Sequence, residues 1–143
     1  MKIAIGSDHA GFHYKLMVKD FLQKEGHILT DLGTNNEESC DYPDFAIAVG
    51  KSVSAKESER GILVCGTGIG MAIAANKISG IRAAVCWNEE IAQICREHND
   101  CNVLCLGARI IEKEMLEKIV SKWLKTDFKG GRHQKRVEKI NNL

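Results

Sequence analysis

GILVCGTGIGMAIAANKI, residues 61–78, decides the fold. Its first five residues form an apolar run that reads as a buried strand. Glycines follow at 66, 68 and 70, and then a stretch of good helix formers begins. A strand turning sharply into a helix is the repeating unit of an α/β sheet. The same alternation recurs on either side. Strands are predicted at 2–7, 27–32, 61–65, 81–86 and 102–106. Helices are predicted at 12–25, from Asp41-Tyr42-Pro43-Asp44 to about 56, at 70–78, from the Asn88 cap to 98, and at 112–124. Strands alternating with helices require right-handed crossovers and a parallel sheet covered on both faces. The expectation is therefore a doubly wound, Rossmann or flavodoxin-like, five-stranded parallel sheet. Its 143 residues form a single domain with a basic C-terminal tail at 130–143.

In such sheets ligands bind beyond the carboxyl ends of the strands, where the winding reverses. A flavodoxin-like order puts that point between strands one and three. The residues leaving those strands are Ser7, Asp8 and His9 on one side, and Cys65, Gly66, Thr67 and Gly68 on the other.

The bulk composition narrows the functions. With 20 Lys+Arg against 19 Asp+Glu the net charge is +1, so nothing draws the chain to nucleic acid or to a membrane. No apolar run approaches the ~20 residues that span a bilayer. The N-terminus MKIAIGSDH reads as a strand rather than a signal peptide. Most of the six cysteines lie in apolar runs, and reduced thiols in a cytoplasmic protein are expected.

The glycine loop lacks the G-x-G-x-x-G spacing of dinucleotide sites and the G-K-[ST] of ATP-binding loops. It either packs helix to sheet or brings its N–H groups against a bound oxygen. Cys65 ends its strand just before a helix N-terminus, a setting that favours thiolate. A thiolate beside N–H donors suits proton abstraction next to a carbonyl, and equally acyl transfer. Cys86 and Cys105 read as buried core. The spacing of Cys95, His98, Cys101 and Cys105 superficially resembles a zinc set, but converging them needs a loop that the sequence does not supply.

Six segments in order carry a resemblance: SDHAGF (7–12), DYPDFA (41–46), CGTGIGMAIAANK (65–77), GIRAAVC (80–86), EHNDCNVLCLGAR (97–109) and GGRHQKRV (130–137). Over essentially its full length the chain resembles the type B ribose-5-phosphate isomerases, a family that includes the galactose-6-phosphate isomerase subunits. The resemblance implies interconversion of ribose 5-phosphate and ribulose 5-phosphate in the pentose phosphate pathway, through ring opening and a cis-enediolate, with no metal or organic cofactor. It implies Cys65 as the base and Gly66, Thr67, Gly68, Ile69 and Gly70 as the oxyanion hole, Thr67 also relaying a hydroxyl proton. His98 is implied as the ring-opening acid and Asn99 as a sugar contact. Asp8 and His9 are implied to bind substrate, and Arg109, Arg132 and Arg136 to hold its phosphate. Asp8 could equally cap the first helix, and neither Tyr42 nor His133 is assigned. Some relatives use a glutamate base where this chain has Met71, which leaves Cys65 as the base here. The alternatives are a phosphorylated hexose substrate (allose or galactose 6-phosphate) or a non-catalytic phosphosugar-binding module. Because His98 ends a helix running back from the sheet's carboxyl edge, it is expected at the opposite edge from Cys65. A homodimer, or a tetramer, with shared sites follows.

Overall fold

The computed structural model describes residues 1–143. Its five parallel strands are β1 (Lys2–Ser7), β2 (Ile28–Asp31), β3 (Arg60–Cys65), β4 (Ala83–Val85) and β5 (Val103–Gly107). The helices are α1 (Phe12–Lys24), α2 (Tyr42–Ser54), α3 (Ile69–Ala75), α4 (Glu89–Asn99), α5 (Lys113–Lys125) and α6 (Gln134–Asn141). Asn88 caps α4 as expected, its side chain accepting the Ile91 N–H at 2.8 Å.

The strands run in the order β2-β1-β3-β5-β4. A flavodoxin-like order would have put β4 next to β3, and burial explains the difference. Every residue of β5 is buried, whereas β4 has three half-buried residues. A strand apolar on both faces belongs in the interior and a short, half-covered one at the edge.

The two cores follow from the crossover rule. Connections running towards β2 or back from β4 lie on one face, so α1, α4 and α5 pack there against Ile3, Ile5, Ile62, Val64, Leu104 and Leu106. Connections running the other way put α2 and α3 over Ala4, Leu63, Cys65, Val103 and Cys105. Alternation of side chains along each strand sorts neighbouring residues between these layers.

The segment at 130–143 departs from the expected unpacked tail. Gly130 and Gly131 take φ of +61° and +56°, which reverses the chain into a 3-10 turn at Gly131–His133 and then α6. Val137 is buried, and Asn141 accepts from the Arg82 guanidinium at 2.8 Å. One apolar residue and one polar clasp attach this helix.

Leu104 is fully buried between β3 and β4. Leu104→Ala is expected to cost about 2–5 kcal/mol by transfer and cavity terms. A urea midpoint within error of the native protein's contradicts that placement of the core.

Candidate active site

At the carboxyl edge, β3 ends in Cys65 and runs on through the glycine loop into α3. Gly68 has φ +80°, a conformation only glycine adopts readily, and it turns its N–H back onto Cys65 Sγ at 3.1 Å. The Ile69 amide is taken by Thr67 Oγ1 at 3.3 Å. The amides of Gly66, Thr67 and Gly70 donate to no group of the chain. Of the five amides expected in an oxyanion hole, three therefore have no acceptor in the chain and two serve the loop itself. Met71 is fully buried beneath α3.

The β5 side completes this edge. Ala108 and Arg109 donate their amides to the carbonyls of Cys65 and Gly66 at 2.8 and 2.9 Å. A Cβ on Gly107 would lie 2.7 Å from the Thr67 carbonyl oxygen, so only glycine fits beneath the loop. The Arg109 side chain lies over Gly66, with Nη1 3.0 Å from where a Cβ would sit. From α2, the Tyr42 ring covers Gly70, 2.6 Å from a Cβ there. Tyr42 thus forms one wall of the crevice.

The β1 side adds Asp8 and His9. Asp8 is buried, and its Oδ1 accepts the Gly11 N–H at 3.1 Å. It closes the turn ahead of α1, whose N-cap is Gly11. Gly11 fits because a Cβ would lie 2.3 Å from the Val64 carbonyl oxygen. His9 Nδ1 accepts the Cys40 backbone N–H at 3.2 Å, which leaves the ring's proton on Nε2. Cys40 was not among the predicted positions, because a main-chain donor has no side-chain signature. Its loop is held by buried Lys15, whose ammonium meets Asp31 Oδ1 at 3.0 Å and also bonds the Thr34 carbonyl.

His98, Asn99, Arg132 and Arg136 do not join this group. His98 and Asn99 end α4, just before the amino end of β5. The Gly61 amide reaches the Asn102 carbonyl at one end of the β3–β5 ladder, while Cys65 pairs with Gly107 at the other. Five strand residues span about 17 Å. At the amino edge the His98 and His133 rings stack with centroids 4.3 Å apart, and the Lys129 amide bonds the Glu97 carbonyl at 3.0 Å. The two groups of predicted residues therefore lie at opposite ends of the strands.

The zinc-like spacing dissolves in three dimensions. Cys95 and Cys101 belong to the core under α4 and α5, and Cys105 to the core under α2 and α3. His98 faces His133. All six cysteines are free thiols. No helix is long and apolar enough to cross a membrane.

The profile of the family described as ribose/galactose isomerase matches residues 3–140. Ribose-5-phosphate isomerase B of Escherichia coli (strain K12) is 48% identical over 142 residues, covering 99% of this chain and 95% of that one. The structure of Clostridium thermocellum ribose-5-phosphate isomerase B superposes with a TM-score of 0.98 at 52% identity, covering 99% of this chain and 96% of the other. The Mycoplasma genitalium ribose-5-phosphate isomerase B, solved with bound ribulose 5-phosphate, superposes at 0.94 with 41% identity and coverage of 99% and 94%.

The anchor of the His9 loop has a pH signature. Burial works against the Asp31 charge, but hydrogen bonds from Lys19, the Gly33 amide and Lys15 outweigh it and hold the carboxyl below its usual value. A lowered folded-state pKa adds stability that is present above the unfolded value and lost as pH falls through the folded one. Asp31→Asn is therefore expected to flatten the loss of stability below about pH 4. Denaturation midpoints that fall as steeply with acid in the variant as in the native protein contradict this.

Proposed function

The chain belongs to the ribose/galactose isomerase family of enzymes, and on that premise we propose that it interconverts ribose 5-phosphate and ribulose 5-phosphate through a cis-enediolate. The observation that carries the reading is Cys65 Sγ at the carboxyl edge, 3.1 Å from the Gly68 amide and beside three unspent amides. An aldose–ketose isomerisation needs a base beside a cradle for the enediolate oxygen, and acyl transfer needs a leaving group that a sugar phosphate lacks.

Cys65 removes the C2 proton of the open-chain aldose and returns it to C1. As it leaves, electrons move onto the carbonyl oxygen, where the amides of Gly66, Thr67 and Gly70 meet the growing charge. Thr67, exposed at the loop's tip, relays the hydroxyl proton between the two oxygens. Asp8 and His9 orient the sugar hydroxyls, His9 through its Nε2 proton. Arg109, lying on Gly66, carries charge towards the phosphate end.

Ring opening falls to His98, with Asn99 on the sugar and Arg132 and Arg136 on the phosphate. The sheet separates these from Cys65 of the same chain, which supports a site shared by two copies. Ile69, Ile73, Trp87 and Ile110 are more than half exposed around the Cys65 half-site, apolar surface that a second copy covers. In a two-fold pair each Cys65 half-site then meets a His98 half-site of the other copy.

Incubation with ribose 5-phosphate, followed by an assay for ribulose 5-phosphate, tests the reading. Faster turnover of allose or galactose 6-phosphate moves the substrate to a hexose, and binding without turnover makes the chain a sensor. Cys65→Ala is expected to abolish isomerisation but not binding, and near-native turnover makes another residue the base. Iodoacetamide inactivation is expected to be slowed by ribose 5-phosphate.

Arg132→Ala and Arg136→Ala are expected mainly to raise KM, as a charge-assisted contact is lost. An unchanged KM in both removes them from the phosphate site. Cys65→Ala and His98→Ala proteins, unfolded and refolded together, are expected to recover about a quarter of native activity, since half of the two-fold pairs are mixed with one intact site each. Confirmed mixed pairs without activity place His98 outside its neighbour's site.

A further inference from the structure

We propose that His133 is a positioning residue: its ring holds the His98 imidazole in a fixed plane and ties the charge of the stacked pair to the phosphate taken by the neighbouring arginines. The proposal rests on the roles of His98, Arg132 and Arg136 given above and adds the link between them.

The geometry is a face-to-face stack, with centroids 4.3 Å apart and planes within 10°. Parallel stacking removes the swing of the His98 ring but leaves the nitrogens on its rim free. The histidine nitrogens that bond within the chain are those of His9, His13 and His27, so both rings keep theirs for a ligand or solvent. His133 ends the 3-10 turn that begins at Gly131 and runs directly into α6. It therefore sits in one short stretch between Arg132 and Arg136. The phosphate arm and the ring-opening acid are joined through this contact.

Charge gives the stack its second role. Two imidazolium rings at contact distance repel, so the pair takes up one proton far more readily than two. The other charges facing the pair are Arg132 and Arg136 from the turn and α6, Lys129 from the segment before them, and Glu97 from α4. Glu97 is already paired with Lys129 at 2.7 Å. The surplus is positive. Desolvation first, and then the charges of His98, Arg132, Arg136 and Lys129, hold His133 below the ordinary histidine value. A phosphate dianion between Arg132 and Arg136 reverses that field, and a proton on the pair then becomes favourable. Phosphate binding thus favours a proton on the stacked pair, and an unphosphorylated sugar does not.

The test is an NMR titration of the histidine rings in the full-length protein, with and without inorganic phosphate, on native, His133→Phe and His133→Ala forms. Phosphate is expected to raise the midpoint of the stacked pair in the native protein. His133→Phe, which keeps a flat ring, is expected to keep kcat close to native. His133→Ala removes the plate and is expected to lower kcat about tenfold through lost orientation, with a smaller change in KM. A stacked pair whose titration is indifferent to phosphate overturns the proposal, as does an equal kcat in the Phe and Ala variants. Because the titration uses inorganic phosphate alone, its failure sinks this proposal whatever the substrate. Absence of ribose 5-phosphate turnover sinks the earlier reading alone.

Discussion

Two backbone hydrogen bonds at the ends of their strands, from Ala108 to the Cys65 carbonyl and from Arg109 to the Gly66 carbonyl, hold the glycine loop in place. They extend the β3–β5 ladder by two steps, and they exist only because β5 rather than β4 neighbours β3. That order also brings Arg109 over Gly66 and sets Gly107 beneath Thr67, where any Cβ would strike the Thr67 carbonyl. Full burial of β5 therefore does more than fill the core. It determines which residues can stand beside Cys65.

Much of this was legible in the sequence because it rests on local patterning. Apolar runs marked all five strands, the Asn88 cap and Pro43 marked two helix starts, and 66-68-70 marked the turn that needs glycine at 68. Strand order was not legible in the same way. It is set by how completely each strand can be buried, and the half-exposed Ala83–Val85 differs little in composition from its neighbours. The helix at 134–141 was also missed. Its single buried residue, Val137, and its clasp to Arg82 are tertiary contacts that leave no period in a basic, glycine-led segment. In the site, the candidate side chains and the glycine loop could be named from the sequence, and the way the backbone amides are used could not. The Cys40 amide that sets the His9 tautomer and the division of loop amides between ligand and loop both depend on geometry alone.

The six thiols show how position separates chemistry from packing. Cys105 lies two register positions from Cys65 on the neighbouring strand, opposite Leu63, and is wholly buried, and burial pushes its thiol up. Cys86 and Cys95 touch at 3.6 Å within the opposite core. These sulfurs fill space among Leu104, Trp123 and Ile119 as small apolar groups. Cys65 is buried to the same degree, yet it is the cysteine whose sulfur accepts a loop amide. Exposure alone does not single it out.

The sheet order also constrains how the chain assembles. β3 and β4 are made before β5, yet neither pairs with the other, and the strand that joins them comes last. Until residue 107 leaves the ribosome, one edge of β3 and the inner edge of β4 have no partner, and α3 bridges an empty slot. Apolar strand edges left open during synthesis recruit other chains. Closure of the sheet is thus a late, non-local event, and non-local pairing is slow. Insertion of β5 completes the core and, in the same step, assembles the Cys65 loop against Gly107 and Arg109. A nascent or partly folded chain accordingly lacks the finished geometry of the Cys65 loop, which arises only with the last strand.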